Sequence, residues 1–130
     1  MKKYIGTKLV QAEPAEKDGK ESYKVVYADG YESWSPADIF EEAYRETDGM
    51  TFGLAVEVLK KGGKVARKGW NGKGIFIELQ CPDAHSKMTH PYIYIDTTGL
   101  QTDNEFAPKN LVPWLASQTD MLAEDWIVVE

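Results

Sequence analysis

Apolar positions along the chain change rhythm near residue 48. Before it, residues 4–12 carry Tyr4, Leu9 and Val10 and read as a strand. Residues 13–22 are polar, contain Asp18-Gly19 and read as a loop. Tyr23-Lys24-Val25-Val26-Tyr27 has the aromatic and β-branched content of a strand. Asp29-Gly30 is a hairpin signal, and Tyr31-Glu32-Ser33-Trp34 returns. Ser35-Pro36-Ala37-Asp38 opens a helix, with Ser35 as cap, Pro36 in the first position and Asp38 as the capping carboxylate. Ile39, Phe40, Ala43 and Tyr44 form its apolar face. Thr47-Asp48-Gly49 ends it.

The second block opens with Thr51 as a cap. Phe52, Ala55, Val56 and Leu59 recur at the spacing of an amphipathic helix, which Gly62-Gly63 stops. Val65 to Trp70 reads as a strand, Asn71-Gly72 as a tight hairpin turn, and Ile75-Phe76-Ile77-Glu78-Leu79 as the return strand. Residues 81–91 form a loop. Tyr92-Ile93-Tyr94-Ile95-Asp96 is a further strand, followed by a turn at Thr98-Gly99; residues 100–112 show no clear period. Ser117 caps a short helix over 118–124, with Asp120 three positions on, and Trp126-Ile127-Val128-Val129 closes the chain as a strand. The pattern predicts an α+β fold, mostly antiparallel sheet with short helices. It predicts two units: a small β-hairpin-plus-helix unit over 1–48 and a larger one over 49–130.

Composition narrows the function. No apolar run approaches the roughly 20 residues of a membrane span, and the basic tip at Lys2-Lys3 leads into no signal-peptide core. The single cysteine, Cys81, cannot form an internal disulfide. These features predict a soluble, cytoplasmic chain without membrane association. A net charge of −6 argues against binding polymeric nucleic acid, which rests on phosphate neutralisation. The charge is uneven, however. Lys60, Lys61, Lys64, Arg67, Lys68 and Lys73 fall within one acid-free stretch.

That stretch runs into Arg67-Lys68-Gly69-Trp70-Asn71-Gly72-Lys73-Gly74. Strand alternation would put Arg67 and Gly69 on one face and Lys68 and Trp70 on the other. Arg67 offers a fork of donors for phosphate, Trp70 a flat surface for a base, and Asn71 a donor and an acceptor for a base edge or ribose. The combination suits a nucleotide-like anion. The same residues equally suit a solvated basic helix end, an ordinary turn and a core tryptophan.

A second constellation lies at Val112 to Trp126. The amides at a helix N-terminus behind Ser117 could receive an anion. Asp120 could pair with Arg67, bind ribose hydroxyls, or simply complete a capping box beneath core tryptophans. Cys81, Asp83, His85 and His90 match no common zinc spacing, and no Gly-Lys-Ser/Thr follows the glycines as a phosphate loop requires. Neither a metal nor a cofactor is expected. Glu124 and Asp125 read as a solvated helix end, and the aromatics of the first unit, Tyr4, Tyr23, Tyr27, Tyr31, Trp34, Phe40 and Tyr44, divide between core and contact patch.

Three stretches carry a resemblance: Met50 to Ala55, Val65 to Gly74, and Pro113 to Trp126. Together they resemble the second class of Thoeris anti-defence proteins of bacteriophages, over about residues 50–130. The resemblance implies a small non-catalytic sponge acting in the infected bacterial host. Such proteins bind the glycocyclic ADP-ribose signal of TIR-domain enzymes without cleaving it, and some also bind cyclic dinucleotides. It further implies a homo-oligomer, typically a tetramer, with pockets between subunits. It marks Trp70 and Asn71 for base and polar contacts, Arg67 and Lys73 for the pyrophosphate, Ser117, Thr119 and Asp120 for ribose or phosphate, and Trp114 as a further ligand-binding residue. Residues 1–48 depart from the family's pattern and resemble a segment of other phage proteins of unknown role. A hydrolase using His85, His90 and Asp120, and a protein–protein interaction module built on the aromatic first unit, are the alternatives.

Overall fold

A computed structural model describes residues 1–130. The architecture is α+β, with antiparallel sheets and three short helices. Contacts divide the chain into two compact units, Met1–Arg45 and Glu46–Glu130.

The first unit is a three-stranded sheet in the order β1-β2-β3, made of β1 (Gln11–Lys17), β2 (Lys20–Val26) and β3 (Glu32–Pro36), with α1 (Ala37–Ala43) following directly. The strand expected over 4–12 is displaced. Residues 1–10 carry no regular element, and the segment read as a loop is β1. The hairpin turn is Asp18-Gly19, both at positive φ (53° and 77°), the conformation that matches strand twist in a two-residue connection. β1 escaped the pattern because it is an edge strand, exposed almost throughout, whose main-chain bonds to β2 specify it without a buried face. Pro14 is tolerated there for the same reason.

Ser35 does not cap α1. It pairs with Tyr23 inside β3, and Pro36 stands at the N-cap without a side-chain bond. Of the expected apolar face, Phe40 stacks between Tyr23 (4.3 Å) and Tyr44 (4.8 Å), whereas Ile39 and Ala43 are exposed. Two helical turns present too narrow a stripe to bury all four. Val25 is the one fully covered apolar side chain of this unit.

The second unit holds α2 (Phe52–Lys60), β4 (Lys64–Arg67), β5 (Phe76–Gln80), β6 (Tyr92–Asp96), β7 (Leu111–Pro113), α3 (Gln118–Leu122) and β8 (Trp126–Val129). Its sheet runs β7-β6-β5-β4-β8, antiparallel throughout. Thr51 Oγ1 accepts the Leu54 amide and starts α2; Gly62, at φ 87°, ends it while the Gly63 amide returns to Val58 O. Met50, Ala55, Leu59, Val65, Ile77 and Trp126 form the core, with Leu79, Ile93 and Ile95 packed against it. Each large apolar side chain so buried stabilises the unit by about 1.5–3 kcal/mol. The last strand, β8, is central to this. It pairs with β4, and its other side is covered by Thr47 and Met50, whose main chains bond Val128 and Trp126.

The tight turn expected at Asn71-Gly72 is absent. β4 stops at Arg67, meets β5 at Val65–Ile77, and neither Asn71 nor Gly72 has positive φ. A turn closes earlier, with the Trp70 amide on Arg67 O (3.2 Å). The loop is then held from outside. Gln101 N–H reaches Lys73 O (2.9 Å), and Gly74, at φ 85°, lies so close to Gly99 that a Cβ would stand 2.1 Å from Gly99 O. Neighbouring chain, not local turn preference, shapes the segment. The expected helix over 118–124 spans Gln118–Leu122, and β7 emerges from the stretch that showed no period.

Candidate functional site

Four aromatic rings converge where β4, α2 and β8 meet. Trp126 is fully buried, with Phe52 at 5.3 Å, Trp70 at 5.4 Å and Trp114 at 6.1 Å, and Trp70 and Trp114 stand 6.1 Å apart. The three tryptophan pairs are edge-to-face, the arrangement the ring quadrupoles favour. Trp126 is held further by its Nε1–H bond to Asp120 O (3.0 Å).

Beside the rings lies an ion-pair cluster. Arg67 Nη1 donates to Asp120 Oδ1 and Nε to Asp125 Oδ1, both at 2.8 Å. Trp70 Nε1 donates to the same Asp120 oxygen (3.3 Å). The other oxygen of Asp120 accepts from the Ser117 amide (3.1 Å) and hydroxyl (2.8 Å), while Ser117 Oγ accepts the Asp120 amide (3.0 Å). This is the capping box of α3, so all four lone-pair directions of Asp120 are engaged. Arg67 and Asp120 side chains are each 14% exposed, which places the pair in a poorly solvated setting.

The electrostatics follow. Burial pushes the Asp120 carboxyl up, but hydrogen bonds from Arg67, Ser117 and Trp70 outweigh it and hold the group at about 2. The Arg67 guanidinium also holds Asp125 below the usual carboxylate range, against burial, with help from the Gly69 amide. Hydrogen bonds to Asp125 and then Asp120 raise Arg67 in turn. Because both carboxyls ionise more readily folded than unfolded, their contribution is complete above about pH 4 and is lost as pH falls toward 2. Urea unfolding between pH 7 and pH 2 is expected to show a loss of roughly 2 kcal/mol over that window. An Asp120→Asn protein should show a shallower loss; equal slopes would remove Asp120 from the account.

The strand alternation expected beyond Arg67 does not hold. With β4 ended, the Arg67 side chain and the Trp70 indole reach the same carboxylate instead of facing opposite ways. Of the residues expected at a site, Arg67, Trp70, Trp114, Ser117 and Asp120 are brought together. Asn71 and Thr119 are exposed. Lys73 folds back, its Nζ donating to Lys68 O (2.9 Å) and Trp70 O (3.2 Å), so an ammonium sits over the turn. Asp125, expected on a solvated helix end, is instead an integral member of the ion-pair cluster. A carboxylate one residue ahead of a buried tryptophan was the only local signal for it. Phe52, read only as part of a helix face, is a further ring of this cluster.

His85 and His90 lie on the exposed 81–91 loop, and no three His, Cys, Asp or Glu side chains gather as metal ligands. A shallow depression of about 100 Å³ is lined by Gln80, Tyr92, Tyr94 and β7, with no tryptophan in its wall. There Tyr94 donates to Glu78, which raises its hydroxyl to about 12. No helix of the chain is long and apolar enough to cross a membrane.

Residues 50–129 match the family described as the Thoeris anti-defense 2-like domain. The relative "Thoeris anti-defense 2" of Bacillus phage SP01 is 42% identical over 84 residues, which is 62% of this chain and 94% of that protein. The matched region contains the tryptophans, the ion-pair cluster and the Lys73 turn, while residues 1–49 lie outside the family match. With more than half of its length matched, the chain belongs to the Thoeris anti-defense 2-like family.

Proposed function

We propose that this anti-Thoeris protein acts in the infected host by binding and sequestering a cyclic ADP-ribose-type signal, glycocyclic ADP-ribose, without cleaving it. The signal-binding domain is residues 49–130, assembled as a homotetramer; cyclic dinucleotides are a second ligand class. The observation that carries this reading is an exposed loop that presents Asn71, with the Lys73 ammonium fixed on the carbonyls of Lys68 and Trp70 and Trp70 interlocked with Trp114. Rigid aromatic surface, an amide and a placed cation are what a base, a ribose and a pyrophosphate require.

Roles divide by exposure and by whether carboxylates already offset the charge. Lys73 contacts the pyrophosphate, Asn71 the base edge or ribose, and Thr119 a ribose hydroxyl. Trp70 and Trp114 offer ring surface. Arg67, Ser117 and Asp120 support these contacts, because Arg67 Nε and Nη1, the Ser117 hydroxyl and both Asp120 carboxylate oxygens already serve this cluster. A phosphate at Arg67 would also meet two fixed carboxylates, Asp120 and Asp125. Binding is favoured over hydrolysis because Asp120, the only carboxylate of the proposed hydrolytic set in this cluster, is fully engaged, while His85 and His90 lie on another loop.

The test is retention. Purified protein is incubated with glycocyclic ADP-ribose, freed of unbound ligand and heat-denatured. Intact signal in stoichiometric amount is expected; a cleaved product rejects sequestration, and an empty protein rejects this signal as ligand. Lys73→Ala and Asn71→Ala should each weaken binding about tenfold, as the loss of a hydrogen bond to a charged or buried polar group does. Calorimetry measures this, and unchanged affinity in both would move the site elsewhere. Light scattering of the full chain checks the tetramer.

A further inference from the structure

We propose that Asp125, a residue outside the expected ligand set, is the positioning residue that holds the Lys68–Trp70 turn ready for ligand. This rests on the sequestration reading above. Asp125 touches three consecutive residues. Its Oδ1 accepts Arg67 Nε (2.8 Å), its main-chain oxygen accepts the Lys68 amide (3.0 Å), and its Oδ2 accepts the Gly69 amide (2.8 Å). The next residue along the turn, Trp70, closes it on Arg67 O. Lys73 then takes its place by donating to carbonyls of Lys68 and Trp70, the two residues flanking Gly69. The ammonium and the indole are therefore placed by a turn that Asp125 pins.

The anchor itself is rigid. Trp126, the adjoining residue, is fully buried and exchanges main-chain bonds with Met50 (2.8 and 3.1 Å). Gly69 gives independent support for the close fit. A Cβ there would stand 2.6 Å from Asp125 Oδ2, so any other residue would force this carboxylate to shift. Gly69 φ is not positive, so the glycine is required by this approach and not by backbone conformation.

A positioning role has a kinetic signature distinct from a ligand contact. If the turn wanders when unpinned, only a fraction of molecules is competent, and apparent affinity falls by that fraction. Association slows while dissociation from the competent state is unchanged. In Asp125→Ala the association rate for the signal should fall about tenfold, with dissociation within a factor of two. Hydrogen exchange at the Gly69 amide, read without ligand, should lose its protection in the same protein. Asp125→Asn keeps the shape but has one acceptor oxygen for two donors, so it should fall between the two. Gly69→Ala should reproduce the Asp125→Ala defect alone and add nothing in the Asp125→Ala background; this pair serves if the single alanine folds poorly. Unchanged Gly69 exchange in Asp125→Ala, or an affinity loss residing in dissociation, would overturn the proposal. Failure of the wild-type protein to bind the signal would reject the sequestration reading alone, since Gly69 exchange still decides whether Asp125 pins the turn.

Discussion

Trp126→Ala is expected to cost the protein about 3–5 kcal/mol, the range for removing a large aromatic side chain from a packed core. The side chain is fully buried and touches the rings of Phe52, Trp70 and Trp114. Its loss removes three ring contacts and leaves Asp120 O without the indole donor. The strand it begins also joins β4 to the Thr47–Met50 segment, so little can collapse into the space. Against a typical total of about 5–15 kcal/mol, this brings the family-matched unit near its unfolding threshold. Urea unfolding followed by circular dichroism measures it. Trp126→Phe should cost less, because a ring remains and only the hydrogen bond and part of the volume are lost. A loss under about 2 kcal/mol for the alanine would mean that the cluster repacks and that its four rings are not interdependent.

Arg67→Ala is expected to cost about 3 kcal/mol, for a different reason: it leaves the largely covered Asp120 and the partly exposed Asp125 charged and without their shared cation. Arg67→Lys should recover little. The wild-type side chain serves two carboxylates through Nε and Nη1, and a single ammonium cannot reproduce that fork. The pH response should change sign as well. Without Arg67 the two carboxylates repel and their protonation becomes favourable in the fold, so the variant should gain stability from these groups as pH falls from 7 to 4, a range over which their contribution to wild type is flat. Parallel urea titrations at those pH values test both statements. A cost below 1 kcal/mol with an unaltered pH slope would show that Arg67 is a solvated surface cation, free for phosphate after all.

Features written within a few residues of each other were legible. Thr51 capping α2, Gly62 ending it and Ser117 boxing with Asp120 all depend on contacts across three to six positions, which side-chain type and spacing specify. The alternation of Tyr92 to Asp96 is legible for the same reason: one face must be buried, and period two records it. The specific helical and terminal motifs were also enough to mark the family. β1 was not legible, because an exposed edge strand is held by main-chain bonds that leave no trace in side-chain pattern. The Asn71-Gly72 turn was misread because local preference, worth a fraction of a kcal/mol, yielded to Gly74 packed on Gly99 and to the Gln101–Lys73 bond.

The site divides along the same line. Its residue types, a basic fork, an indole, an amide and a capped carboxylate, were all visible in the linear chain. Which of them hold each other was not. Arg67 and its carboxylate partners lie 53 and 58 positions apart, and they meet only because β8 returns beside β4 in one particular register. Guanidinium recognises carboxylate and phosphate by the same geometry, so Arg67 suits either role until its neighbours are known. The sequence by itself determined the chemistry available, the α+β class and the family. Only the tertiary structure decided that Arg67 pairs with Asp120 and Asp125, that Asp125 also takes the Gly69 amide, and that the Lys73 ammonium rests on the carbonyls of Lys68 and Trp70.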